Sequence, residues 1–126
     1  MKREPHILIV DDSRTIRHGL HQLLATQGYQ VTEAEDGEKA LELAAALNPD
    51  LILLDWQMPK FDGFETARRI RALEGARSIS IILLTTSDFP AGCDHHPDPH
   101  FNGYVSKMAH PDELLSCVKQ HLAGRD

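Results

Sequence analysis

Short apolar runs alternate along this chain with longer segments whose apolar residues recur at helical spacing. His6-Ile7-Leu8-Ile9-Val10 reads as a buried strand that ends at Asp11-Asp12. From Arg14 to Gln27 the period changes, with Ile16, Leu20, Leu23 and Leu24 on one helical face and Gly28 as the stop. Tyr29 to Ala34 is a second, weaker strand. Asp36-Gly37-Glu38 turns the chain into a second helix, whose inward positions are Ala40, Leu41, Ala44 and Leu47 and which Asn48-Pro49 closes. Leu51-Ile52-Leu53-Leu54 is almost wholly apolar, as suits a strand covered on both faces. After Asp55 and a loop, Asp62 with Glu65 forms a candidate capping box for a third helix. That helix runs to about Leu73 and buries Phe64, Ala67 and Ile70. Ile79 to Leu84 is a fourth strand and Gly103 to Ser106 a short fifth. His110-Pro111 opens the last helix, with Leu114, Leu115, Val118 and Leu122 on its inner face.

This βα alternation implies an α/β fold, a three-layer sandwich around a five-stranded parallel sheet. Right-handed crossovers then make the carboxyl ends of the strands the place where a ligand binds. Asp11-Asp12, Asp55, Thr85 and Lys107 all fall at such ends, on four separate strands. One stretch breaks the pattern. Residues 87–100 hold three prolines and a glycine, which favours a loop, with at most a helical turn, over a regular helix.

Composition narrows the function classes. A chain of 126 residues fits one domain, taken here as 1–126, and 41% hydrophobic with 25% charged residues is ordinary for a globular protein. No apolar run is long enough for a bilayer, and the N-terminus does not read as a signal peptide, so the expected location is the cytoplasm, with no membrane partner. A net charge of −6 argues against direct nucleic-acid binding, which needs a basic surface. Cys93 and Cys117 share no metal or redox spacing and read as reduced thiols.

Three carboxylates at one sheet edge repel one another unless a cation joins them. Hard oxygen ligands with open positions suit Mg²⁺, and a carboxylate neutralised in this way can act as a nucleophile toward phosphorus. Phosphoryl transfer also needs positive charge and hydrogen-bond donors around the moving oxygens; Lys107 and Thr85 can supply them.

Val10-Asp11-Asp12-Ser13, Leu53-Leu54-Asp55-Trp56-Gln57-Met58-Pro59, Asp62-Gly63, Leu84-Thr85-Thr86 and Gly103-Tyr104-Val105-Ser106-Lys107 occur in that order, each beside a predicted strand end. Together they resemble the receiver domain of bacterial two-component response regulators (CheY-like) over nearly the whole chain. The resemblance implies a flavodoxin-like strand order of 2-1-3-4-5. It implies that Asp55 is the phosphoacceptor and that Asp12 is a direct metal ligand, with Asp11 holding the metal through water. The backbone carbonyl of Gln57 would be another ligand. Thr85 and Lys107 would grip the phosphoryl group, Tyr104 would swing inward as a switch, and Gln57 and Ser87 would tune hydrolysis of the acyl phosphate. The implied partners are a histidine kinase or histidine phosphotransfer protein, meeting the first helix (Arg14, Arg17, His18, His21), and a downstream protein.

Two positions depart from the family pattern. Met108 follows Lys107 where the family usually has proline, so a trans bond is expected, with the lysine aimed slightly differently. The Pro/His-rich loop 88–100 stands where the family has its fourth helix. Cys93, His95, His96 and His100 match no compact metal motif and read as a solvated loop. The competing classes are a haloacid-dehalogenase-like phosphatase, a flavodoxin-like flavin carrier, and a degenerate receiver that works by contact without phosphorylation. The first needs a second acid two residues after its nucleophile, where Gln57 stands. The second needs a phosphate-cradling first loop, where Asp-Asp-Ser-Arg-Thr stands.

Overall fold

In the computed structural model the described residues are 4–58, 60, 62–73, 75, 78–85 and 99–123. They form β1 (His6–Val10), α1 (Arg14–Ala25), β2 (Gln30–Ala34), α2 (Gly37–Leu47), β3 (Leu51–Asp55), α3 (Gly63–Arg71), β4 (Ser80–Thr85), β5 (Gly103–Ser106) and α4 (Pro111–Leu122). All strand pairs are parallel, in the order β2-β1-β3-β4-β5. This is the doubly wound arrangement expected from the sequence. Ser87 and most of the loop 88–100, including the fourth-helix position, lie outside the described residues.

Side-chain alternation divides the core into two layers. Ile7 and Ile9 of β1, Leu51 and Leu53 of β3, and Ile82 and Leu84 of β4 meet Leu24 of α1 and Leu114, Cys117, Val118 and Leu122 of α4. Leu8, Val10, Ile52, Leu54, Ile81 and Leu83 point to the other face and meet Ala40 and Ala44 of α2 and Ala67 and Ile70 of α3. Because successive strand residues face opposite ways, the unbroken apolar runs in β1, β3 and β4 serve both layers at once. The strand order reverses between β1 and its two neighbours. Right-handed crossovers therefore send α1 and α2 to opposite faces and leave a cleft at the carboxyl ends of β1 and β3.

Local chemistry sets the helix ends. Ser13 caps α1 by accepting from the Ile16 amide, and Asp36 caps α2 by accepting from the Lys39 amide at 2.8 Å. α1 stops at Ala25, two residues before the expected Gln27, because Gln27 and Gly28 bond back to Leu24 and Ala25 in a tighter turn. Gly28 then takes φ +87°, a conformation that glycine reaches without strain. Only half of the expected capping box forms in α3. Asp62 accepts from the Glu65 amide, but the Glu65 carboxylate turns forward to Arg68 and Arg69. α3 ends at Arg71, not Leu73, with Ala72 as its C-cap. Leu47 departs from the expected inward face: it is the last residue of α2, the chain turns away at left-handed Asn48 (φ 47°), and the side chain is 40% exposed.

At the amino edge of the sheet two polar groups tie elements together. Asp50 Oδ2 accepts from the His6 amide at 2.8 Å, which fixes the start of β1 against β3. Arg71 donates to the carbonyls of Ile79 and His100 and to Asn102 Oδ1, which itself accepts from the Ile81 amide. This cluster fastens the end of α3 to the starts of β4 and β5. Replacing Asp50 with alanine should leave the His6 amide without its carboxylate and lower stability by about 1–3 kcal/mol. A urea midpoint shift with unchanged slope is the expected readout.

Candidate functional site

The parallel register delivers the site. Val10 pairs with Leu54, Asp55 with Leu84, and Thr85 with Ser106, so the residues ending or following these strands share one rim of the sheet. Asp11 follows β1 directly and is fully buried, Asp55 ends β3 at 2% exposure, and Asp12 is exposed beside them. Carboxylate oxygens of Asp11, Asp12 and Asp55 lie within 4.8 Å of one another. Thr85, also buried, ends β4, and its carbonyl accepts from the Lys107 amide at 2.7 Å.

Lys107 enters this acidic hollow from β5. Its ammonium lies 2.7 Å from Asp11 Oδ2 and 3.0 Å from Asp55 Oδ2. No peptide bond among the described residues is cis, so the trans bond expected before Met108 is present, and the lysine still reaches both acids. Burial opposes a charged lysine, but its pairs with Asp11 and Asp55 outweigh that effect and hold Lys107 above the usual lysine range. Burial also holds the Asp55 carboxyl above the usual carboxylate range, helped by the Asp11 charge and opposed by Lys107. The two directions are compatible because one ammonium serves two buried acids.

Backbone donors complete the frame. Asp11 Oδ1 accepts from the Ser13 amide at 2.8 Å, and Asp55 Oδ1 from the Gln57 amide at 3.3 Å. Asp11 Oδ2 meets the ammonium as an ion pair but has no partner in hydrogen-bond geometry among the described residues. A buried carboxylate oxygen of this kind, beside two further carboxylates, fits a hard divalent cation. Gln57 is exposed at the mouth, and Tyr104 is half-buried on β5 against the α2–α3 layer. Trp56 packs edge-on to Phe64 at 6.1 Å, next to the site.

Two features of the site escaped the sequence reading. Gly63 begins α3 directly against the end of β3, where a Cβ would stand 2.5 Å from the Asp55 carbonyl oxygen and 2.7 Å from Trp56 Cα. Its occurrence in the Asp62-Gly63 pair was the available signal. Lys60, three residues past Gln57, takes φ 74° and places its ammonium 3.5 Å from Asp36 and 3.7 Å from Glu38. This ties the loop after Asp55 to the start of α2, and nothing in the local pattern announces it.

Residues 7–119 match the model of the response regulator receiver domain. The chain is 36% identical over 113 residues to the response regulator MprA of Mycolicibacterium vanbaalenii, covering 90% of this chain and 48% of that protein. It is 36% identical over 126 residues to the DNA-binding dual master transcriptional regulator RpaA of Synechocystis, covering 97% of this chain and 51% of that protein. The chain thus spans about half the length of these curated relatives. The receiver domain of the sensor histidine kinase PA1611 from Pseudomonas aeruginosa, solved with a magnesium ion in its active-site cleft, superposes with a TM-score of 0.82. It shares 28% identity, and the match covers 97% of this chain and 100% of that one. A fold wound 2-1-3-4-5 with acids at its switch point defines a class, and this chain belongs to the response regulator receiver domain family. Domains of this family are signalling modules of phosphorelays and interact with histidine kinases or phosphotransfer proteins.

Two substitutions probe the strain in this site. Asp55→Asn removes one of the two buried charges that share Lys107, leaves the ammonium to Asp11, and should stabilise the fold at pH 7. The folded-state pKa of Asp55 lies above its unfolded value, so the folded chain retains a proton that the unfolded chain releases. The penalty is therefore absent below the unfolded value near pH 3.8 and complete above the folded one. The advantage of Asp55→Asn in denaturant midpoint should accordingly shrink toward zero as the pH falls through that window. Gly63→Ala should cost about 1–3 kcal/mol by overpacking against backbone, read as a lower melting temperature.

Proposed function

We propose that residues 1–126 act as one receiver domain whose phosphoacceptor is Asp55. The observation that carries this reading is the ammonium of Lys107 lying between Asp11 and Asp55 at the carboxyl edge of the sheet. Asp11, Asp12, Asp55 and the Gln57 carbonyl would hold Mg²⁺. When bound, the ion would neutralise acid charge and polarise the phosphoryl oxygens. The Asp55 carboxylate attacks the phosphorus of a partner's phosphohistidine, the P–N bond breaks, and the imidazole leaves with its electron pair. Lys107 compensates charge on the phosphoryl oxygens, and the Thr85 hydroxyl donates to one of them. Gln57 at the mouth, with Ser87, would set how readily water reaches the acyl phosphate.

Drawing Lys107 and Thr85 toward the added charge would bias the β4–β5 surface, with Tyr104 moving inward as the threonine moves. A downstream protein in the cytoplasm would read that surface. No helix among the described residues is long and apolar enough to cross a membrane. The acidic net charge of −6 favours a protein over a nucleic acid as the direct partner of this segment.

Incubation with Mg²⁺ and acetyl phosphate, followed by intact mass, tests the assignment. A single phosphoryl adduct is expected on the parent chain and none on Asp55→Ala. An adduct that survives in Asp55→Ala would place the acceptor elsewhere, and no adduct on either chain would favour a receiver that works by contact alone. Thr85→Ala should still accept the phosphoryl group but lose the phosphorylation-dependent change in Tyr104 environment, followed by tyrosine-selective NMR.

A further inference from the structure

The carbonyl of Asp11, directly before the exposed Asp12, accepts from Arg17 Nη1 at 2.8 Å. The same guanidinium gives its Nε to Glu33 Oε1 at 3.1 Å, and Glu33 Oε2 meets His21 Nδ1 at 2.7 Å. Arg17 is 14% exposed, so this fork is largely sheltered. Glu33 sits opposite Ile9 in the β1–β2 register, and the next residue, Ala34, accepts from the Asp11 amide at 3.2 Å. Asp11 is thus held at its amide by β2, at its carbonyl by α1, at Oδ1 by the Ser13 amide and at Oδ2 by Lys107. The carbonyl contact fixes the plane of the Asp11–Asp12 peptide, and that plane sets where the Asp12 side chain starts.

We infer that Arg17, clamped by Glu33 and His21, is a positioning residue that orients the Asp11–Asp12 pair for the divalent cation. This inference rests on the metal reading above. A partner of this kind tunes a metal site without touching the ion, and its loss commonly costs a factor of about 10 or more in affinity.

Simple electrostatics makes the opposite forecast. Removing Arg17 deletes a cation near the acids and leaves Glu33 with His21 alone, so charge alone would tighten cation binding. Lysine at this position keeps the charge but cannot serve the Asp11 carbonyl and Glu33 together as the planar fork does.

Mg²⁺ titration followed by fluorescence of Trp56, the sole tryptophan, gives the readout. Arg17→Ala and Arg17→Lys should each raise the Mg²⁺ Kd about tenfold, and Glu33→Ala less so. Glu33→Gln keeps an oxygen for Arg17 Nε and should restore a Kd close to that of the parent chain. Thermal unfolding run in parallel separates misfolding from misorientation. Should Arg17→Ala fail to fold, Arg17→Lys and Glu33→Ala decide the matter. Unchanged or tighter Mg²⁺ binding in folded Arg17 variants would overturn the inference while leaving the metal reading intact. No Mg²⁺ response in the parent chain, by fluorescence or calorimetry, would overturn both.

Discussion

A single ammonium shared by two buried carboxylates is the constraint around which this molecule is arranged. Neither Asp11 nor Asp55 retains bulk water to spread its charge, and Lys107 cannot neutralise both. The result is a hollow with surplus negative charge, held by the covalent ends of three different strands. Among the described residues Lys107 is the one cation paired with these two acids, so a proton, a cation or a group that rearranges the charges would relieve the surplus. That unresolved surplus is what makes the edge chemically receptive rather than merely acidic.

The rest of the fold keeps this arrangement rigid. Strands β1, β3 and β4 are buried on both faces, so their ends cannot drift without disturbing two packed layers. Asp50 and the Arg71–Asn102 cluster fasten the opposite edge, where a receptive site would serve no purpose. The fastening contacts and the acidic cluster thereby occupy opposite rims of one sheet.

Much of this could be read from the amino acids because it depends on local pattern. The apolar runs announced β1 and β3, the period of 3.6 announced α1 and α4, and the polar residues at strand ends announced the candidate site. What escaped depends on distance in three dimensions. The exposure of Leu47 follows from where α2 ends relative to its neighbours, and the forward turn of Glu65 follows from two arginines competing for its carboxylate. The reach of Lys107 from the end of β5 past β4 to two acids, although the residue after it is Met108, needed the strand order and register to be known. In the sequence Arg17 is one of four basic or imidazole residues that α1 offers to a partner; its bonds to the Asp11 carbonyl and to Glu33 on β2 set it apart.

Gly63 carries a different consequence. It has no functional group, yet its amide donates to the Trp56 carbonyl at 2.9 Å and its α-carbon leaves no room for a methyl group. The opening of α3 is therefore welded to the main chain just past Asp55, and the two can move only as a unit. A residue with no functional group is thus held to glycine for reasons of shape alone.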